Sequence, residues 1–369
     1  MTFESWLSLS VQSQDKVFLQ PLSPTELGGT VLFTKSRVAI IFNPTGGSAK
    51  SGKIDTLVRA LAAHSIEAVR LTTTAEPGSA RMLAQKAAED GQVDLVIACG
   101  GDGTVCQVAE GILAAYEAAG HAHASDDAGA RQGGATTLLQ AEKLPMAVFP
   151  AGTGNLFARA FYAVPDPQKF VQMLVRGQAQ PVDMVQLTCV DESGQEHRQL
   201  YIVATGFGKL SDAISFASPG MKRWLGKFAY AMRMVAASFN PEPVTYTIKT
   251  TAGPGAAANN VTSVQASALF ALNTIPPSMV ALSRGCNASD GLIDVVLLKS
   301  SSFLSLGRMS MALASGRADL KDDYLRIRCR SVSIETDRAV TPNIDGDPGV
   351  KTRQIELTAI KGAASIIVS

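Results

Sequence analysis

Gly100-Gly101-Asp102-Gly103-Thr104 places three glycines, a carboxylate and a hydroxyl within five residues. Glycines let a backbone turn sharply and come close to a ligand. The first N–H groups of a helix lack partners and can face an anion such as a phosphate. A carboxylate pressed directly against a phosphate would repel it. Asp102 therefore fits such a site only if Mg²⁺, water or a substrate hydroxyl lies between them. Gly-Gly-Asp-Gly is also ordinary turn chemistry, so the setting matters. Before it, Val93 to Ala98 is a short apolar run of the kind buried in a parallel sheet. After it, Val105, Val108, Ala109, Ile112, Leu113 and Tyr116 recur at helical spacing. The glycines fall where a strand ends and a helix begins.

The same device recurs along the first half. Val38–Phe42 is a buried strand that runs into Asn43-Pro44-Thr45-Gly46-Gly47-Ser48 and then a helical pattern through Ile54, Leu57, Val58 and Leu61. Gly47 and Gly52-Lys53 nearly write a Walker A loop, but Ile54 stands where Ser or Thr would hold Mg²⁺, which excludes a P-loop NTPase. Glu67–Leu71 predicts a third strand, leading through Thr72-Thr73-Thr74 to a helix over about 77–89, with Pro77 suited to its first turn. Leu144–Phe149 is another strand, followed by Pro150-Ala151-Gly152-Thr153-Gly154-Asn155 and a helix from Leu156. Several such turns at successive strand ends can converge on one triphosphate. The alternation predicts a doubly wound α/β domain with its ligand at the carboxyl ends of the strands.

After about residue 178 the texture changes. Short runs at Val182–Val190, Leu200–Ala204, Val244–Thr250, Ser267–Leu272, Ile293–Leu298, Leu325–Ile334 and Arg353–Ile360 alternate with turn clusters. They predict a β-rich second domain, a sandwich. The boundaries are then 1–36 for an N-terminal extension, 37–177 for the nucleotide-binding domain and 178–369 for the β-rich domain, whose last strand could return to the first. Residues 120–142 look like a polar surface insertion, despite His121, His123, Asp126 and Asp127. From Met221 to Phe239 one helical face is apolar, with Lys222, Arg223, Lys227 and Arg233 off it. A membrane-surface helix has this form; a core helix with a solvated basic side has it too, and is the commoner case.

Composition narrows the function classes. With 369 residues, 46% hydrophobic and 18% charged, the chain can bury two sizeable cores. Its net charge of +1 gives no basic field for nucleic acid. Five scattered cysteines, without a Cys-x-x-Cys pair, fit a reducing cytosol and offer no zinc spacing. The first residues lack a basic, then apolar, secretory pattern, and no apolar run reaches transmembrane length. A cytoplasmic protein is expected. A lipid substrate would have to be met at the inner membrane face by peripheral contact.

Taken together, these motifs resemble the diacylglycerol kinase catalytic-domain superfamily of lipid kinases, which includes sphingosine and ceramide kinases. The resemblance runs from about Arg37 to near the C-terminus. It implies ATP and Mg²⁺ as cofactors and an active site in the cleft between a nucleotide domain and a β-sandwich. Asn43, Pro44, Thr45, Gly46 and Gly47 look like the first nucleotide loop, and Thr74 adds a hydroxyl. Gly100, Gly101, Asp102, Gly103 and Thr104, with Val105 and Cys106 after them, resemble the signature. Gly152, Thr153 and Asn155 look like the third loop. Asp183 is similar to the aspartate that opens the second domain. Asn287-Ala288-Ser289-Asp290-Gly291-Leu292 looks like a structural Mg²⁺ segment, which implies the Asp290 side chain and the Asn287 and Leu292 carbonyls as ligands. Asp345-Gly346-Asp347 is similar to a late Asp-Gly-Glu at the reacting centre. Gly46, Cys106, Gln107 and Leu156 depart from the common pattern, the last standing where many diacylglycerol kinases carry an aspartate.

The expected chemistry is transfer of a γ-phosphoryl group to a lipid hydroxyl. Diacylglycerol comes first as acceptor, and a sphingoid base or ceramide next. Asp347, or Asp345 as the less favoured alternative, takes the hydroxyl proton, while Asp102 and Asp183 tie the catalytic Mg²⁺. An NAD kinase also carries Gly-Gly-Asp-Gly, but the Asn43-Pro44 loop, Pro150–Asn155 and Asn287–Leu292 tell against it. A lipid-binding regulator that kept the fold without catalysis is the alternative of another class. Homodimer assembly stays open.

Overall fold

The structure is a computed structural model describing residues 37–44, 51–120, 143–152, 154–162, 164–208, 243–251, 260–277, 283–299 and 324–368. The N-terminal extension, Thr45 to Gly47, Thr153, the insertion after Gly120 and the amphipathic stretch Met221–Phe239 lie outside these residues.

Four parallel strands open the chain: β1 (Arg37–Phe42), β2 (Glu67–Thr72), β3 (Leu95–Gly100) and β4 (Met146–Pro150), in the order β2-β1-β3-β4. Every residue of β3 and β4 is buried. That is why their sequences are continuous apolar runs rather than alternating ones. Helices cover both faces. Leu57 and Leu61 of α1 (Ser51–Ala62) share a core with Phe149 of β4. On the opposite face, Ala80 and Ala84 of α2 (Ser79–Asp90) pack with Val108 and Ile112 of α3 (Asp102–Ala118) against Val96 and Val148. Gly111 permits this α2–α3 contact, since a Cβ there would lie 2.2 Å from the Arg81 carbonyl oxygen. Two further helices follow β4: α4 (Leu156–Phe161) and α5 (Pro167–Arg176). The Asp166 side chain accepts the Lys169 N–H at 2.9 Å, and Pro167 occupies the first turn, so α5 starts with a cap and a preset φ.

The second half is antiparallel. A long strand, β5 (Gln178–Asp191), turns into β6 (Glu196–Tyr201). Next come β7 (Ala204–Phe207), β8 (Val244–Thr251), β9 (Asn260–Ala266), β10 (Ala268–Leu272), β11 (Ile293–Leu298) and β12 (Tyr324–Cys329). They are followed by β13 (Ser331–Val340), the short β14 (Asn343–Ile344) and β15 (Asp347–Pro348), and β16 (Thr352–Val368). One sheet has the order β12-β11-β10-β7-β14-β15. It faces β5, β6, β8, β13 and β16 across a core that includes Leu187, Phe207, Tyr246, Leu269, Val295, Ile334 and Leu357. This is a sandwich.

The run Leu325–Ile334 is not one strand. It breaks at Arg330, leaving β12 in one sheet and β13 in the other. The apolar alternation slips by one residue at the break, from Leu325, Ile327 and Cys329 to Val332 and Ile334, because the two strands line the same core from different sheets. β16 also extends beyond the predicted Arg353–Ile360. It pairs with β5 from Thr352 to Val368, and its Ile366 lies beside Met146 of β4, so the parallel sheet runs on into the antiparallel one. The register shift between Ile360 and Ala364 surrounds Gly362 at φ 58°, a bulge whose Lys-Gly sequence reads as a turn.

Five cysteines are free thiols, four of them buried. Among the described residues no helix is long and apolar enough to cross a membrane.

Candidate active site

The turns after β3 and β4 are joined through backbone. The Gly100 carbonyl accepts the N–H groups of Ala151 and Gly152, both at 3.1 Å. The approach is close enough that a Cβ on Gly152 would lie 2.3 Å from the Gly101 Cα. Gly152→Ala is therefore expected to force the two turns apart. The backbone overlap should lower the melting temperature by several degrees. An unchanged melting temperature would show that the two turns are not in contact as described.

Asn155 holds its own turn. At φ 49° it sits in the left-handed region, its Oδ1 accepts the Gly152 N–H and its Nδ2 donates to the Gly152 carbonyl, both at 2.8 Å. Its amide thus shapes the glycine turn, leaving contact with a ligand to the turn's backbone. Helix α3 begins immediately after Gly101, and its first N–H groups have no acceptor within the helix. Val105 and Cys106 point their side chains inward: Val105 packs in the core, and its N–H is taken by the Gly101 carbonyl at 3.1 Å. Thr73 donates its N–H to the Phe42 carbonyl at 3.0 Å, which sets the end of β2 beside Asn43. Thr74 is exposed next to it, and its Oγ1 accepts the Glu76 N–H at 3.3 Å. Asn43 and Pro44 follow directly on β1, so these residues share the carboxyl rim of the parallel sheet with Gly100 and Gly152.

Asp102 bridges α3 to α4. Its Oδ2 accepts the Leu156 N–H at 3.0 Å and its Oδ1 the Phe157 N–H at 2.8 Å. Burial pushes its pKa up, and those two N–H groups pull it down again. Leu156, which stands where the resemblance implies an acidic side chain, meets Asp102 through its backbone N–H.

Asp345 and Asp347 reach this rim from the other sheet. Asp345, in the left-handed region at φ 49°, turns its carboxylate inward. Oδ2 accepts the Ile202 N–H at 2.8 Å, and Oδ1 accepts those of Val203 and Ala204 at 2.9 Å each. Burial raises its pKa to about 7 despite those three N–H groups, and the Asp102 charge adds to the rise. Asp347 is exposed as a residue, but its Oδ2 lies 3.2 Å from where a Cβ on Gly103 would be. Loss of water on that side raises its pKa. Of the two aspartates, Asp347 is the one turned toward the glycine turn, and Asp345 anchors the bend that carries it.

The Asp345 shift makes a pH prediction. A carboxyl whose folded pKa lies above the ordinary value of about 3.9 binds its proton more tightly in the folded chain. Its stabilising contribution is complete below pH 4 and is lost as pH rises through about 7. Asp345→Asn should remove that segment of the stability profile. Between pH 5 and 8 its melting temperature should fall less than that of the wild type, measured by thermal scans in matched buffers. Parallel profiles would count against the raised pKa.

Asp183 lies elsewhere. It is fully buried, with Oδ2 accepting the Gly291 N–H at 2.6 Å and Oδ1 that of Gly362 at 2.7 Å. Burial raises its pKa to about 6 against those two N–H groups, and Asp290 raises it further. These partners belong to the 283–292 loop and to the bulge of β16 rather than to the glycine turns, and none of them is Asp102. Its link to the rim is indirect. Asn273, missed in the sequence, donates from Nδ2 to the carbonyls of both Asp183 and Ile202, at 2.8 Å each. Ile202 in turn donates to Asp345. A polar residue directly after the apolar run Ser267–Leu272 was the available signal.

Asp290 also has partners. Its Oδ1 accepts the Leu292 N–H at 3.0 Å, and its Oδ2 is held by Arg328 Nη2. The Asn287 side chain accepts the Ser289 N–H at 3.1 Å. An acidic side chain already neutralised by a guanidinium does not fit the structural Mg²⁺ that the resemblance implies.

Residues 37–187 match the family model of the diacylglycerol kinase catalytic domain. The chain is 27% identical over 302 residues to a Stenotrophomonas maltophilia protein named "Probable lipid kinase YegS-like", covering 80% of this chain and 84% of that one. It is 25% identical over 321 residues to a Bacillus subtilis protein named diacylglycerol kinase, covering 85% and 90%. The crystal structure of a diacylglycerol kinase from Bacillus anthracis has the same fold, with a TM-score of 0.58 at 18% identity, covering 91% of this chain and 98% of that one. The chain is thus a kinase whose residues 37–187 match the diacylglycerol kinase catalytic domain and which is similar over most of its length to proteins named diacylglycerol kinase or lipid kinase.

Proposed function

We propose that the chain transfers the γ-phosphoryl group of ATP to the free hydroxyl of diacylglycerol, in the cleft where the rim of the parallel sheet meets the Asp345–Asp347 bend. The observation that carries this reading is the approach of the Asp347 carboxylate to Gly103, at the N-terminal turn of α3. It sets an acid–base group beside a backbone shaped for phosphate.

The N–H groups at the start of α3 and the glycine turn after β4 bind and orient the phosphate tail. Among the described residues no donor meets the Asp347 carboxylate, which leaves it free to accept a proton. As the lipid oxygen bonds to the γ-phosphorus, its proton passes to Asp347, and ADP leaves with the electrons of the broken P–O bond. Asp345 holds the Asp347 bend in place through the N–H groups of Ile202, Val203 and Ala204. Mg²⁺ suits the oxygen-only donor set here, and Asp102, with lone pairs beyond the two it uses, would hold it through bound water. When bound, the ion neutralises charge on the phosphates.

A lipid acceptor requires contact with a membrane surface. Labelled ATP, Mg²⁺ and a panel of diacylglycerol, sphingosine, ceramide and NAD in mixed micelles would test the proposal. Label should enter diacylglycerol. Label confined to another acceptor would overturn the substrate, and nucleotide binding without any transfer would overturn the catalysis.

A further inference from the structure

Three carboxylates converge around the loop at residues 283–294: Asp183, Asp290 and Asp294. Asp183 and Asp294 are almost completely buried. Such a group needs cations or donors close by. Asp183 is met by two backbone N–H groups, and the Lys361 side chain packs over Gly291, with Cδ 3.3 Å from where a Cβ would be.

The other two aspartates are served by β12. Asp294 and Arg328 face each other across the β11–β12 pair. Arg326 donates from Nε and Nη2 to Asp294 Oδ1 at 3.1 and 2.8 Å, and Arg328 Nε lies 3.5 Å from the same oxygen. Arg328 Nη2 reaches further, to Asp290 Oδ2 and to the Gly285 carbonyl, the latter at 2.9 Å. One guanidinium therefore clamps both ends of the loop to the sheet. Counting Lys361, three cationic side chains face three carboxylates, and the Asp290 charge is met by Arg328.

We infer that Arg328 is the built-in cation of this loop: its guanidinium neutralises Asp290 and ties the loop to β12, so this half of the chain keeps its fold without a structural divalent ion. The inference concerns stability alone and does not depend on the lipid that is phosphorylated.

The test uses the full nucleotide-free chain. Moving from EDTA to millimolar MgCl₂ or CaCl₂ should change its melting temperature by less than about 1 °C, where saturating a structural ion would raise it by several degrees. Metal analysis after desalting should find no stoichiometric divalent ion. Arg328→Met should lower the metal-free melting temperature by about 5 °C, because it strands a half-buried carboxylate. Adding Asp290→Asn to that variant should recover part of the loss. If Arg328→Met fails to fold, the wild-type titration still decides. A divalent ion retained by the wild type and lost in Asp290→Asn would overturn the inference. So would metal stabilisation that survives Asp102→Asn but not Asp290→Asn, or an Arg328→Met chain as stable as the wild type in EDTA.

Discussion

Asp347→Asn is expected to reduce the turnover number for lipid phosphorylation by about 10²–10⁴-fold, the range that a positioned general base contributes. The Michaelis constant for ATP should change little. In the proposed mechanism the phosphates meet backbone N–H groups of α3 and the β4 turn, and none of these depends on the Asp347 charge. Stability should also hold within about 0.5 kcal/mol, since Asp347 is exposed and no donor among the described residues is orphaned by its loss. Asp345→Asn should behave differently. It disturbs an inward carboxylate that accepts three N–H groups, so the bend loosens and stability suffers together with turnover. The pair of variants separates the group that moves the proton from the group that holds it in place. The wild-type rate should also fall on acidification, as Asp347 takes up a proton through its raised pKa, and that limb should vanish in Asp347→Asn. Full turnover by Asp347→Asn would remove the proposed base.

These roles differ in how visible they are along the chain. The glycine turns are legible because strand, turn and helix are local, and each announces itself by a change of hydrophobic period within about a dozen residues. The Asp345-Gly346-Asp347 bend is legible as chemistry, but not which carboxylate faces inward. That depends on the backbone of Ile202 to Ala204, some 140 residues away. Asp183 shows the limit more sharply. The resemblance puts it with Asp102 on the catalytic Mg²⁺, whereas the structure holds it under Gly291 and Gly362, whose N–H groups carry no sequence signal at all. Asp290 is similar. An Asp-Gly turn can hold an ion or accept an arginine, and only the pairing of β11 with β12 brings Arg328 to it. In β16 the predicted run ends at Ile360, just short of Gly362. The long antiparallel partner β5 carries the pairing past it as a bulge.

Asp102 holds the start of α4, and the proposed mechanism gives it a second duty that substitutions can separate. Asp102→Ala removes both acceptors from the start of α4, so it should cost about 1 kcal/mol as a lost cap and cut activity by at least about 10³-fold. A fall in activity there could come from a displaced β4 turn as easily as from lost electrostatics. Asp102→Asn keeps one oxygen, enough to accept the Phe157 N–H, while removing the charge. The stability loss should shrink and the activity loss should remain at about 10²-fold or more, because phosphoryl transfer depends chiefly on charge placed against the phosphates. The two losses therefore part company only if the carboxylate acts on the bound nucleotide. Mg²⁺ dependence supplies the independent readout: the concentration for half-maximal rate should rise in Asp102→Asn, since the negative charge that would hold the ion's hydration shell is gone. If Asp102→Asn instead kept wild-type turnover and wild-type Mg²⁺ dependence, Asp102 would be a helix cap and nothing more. The catalytic charge would then have to come from Asp347 alone.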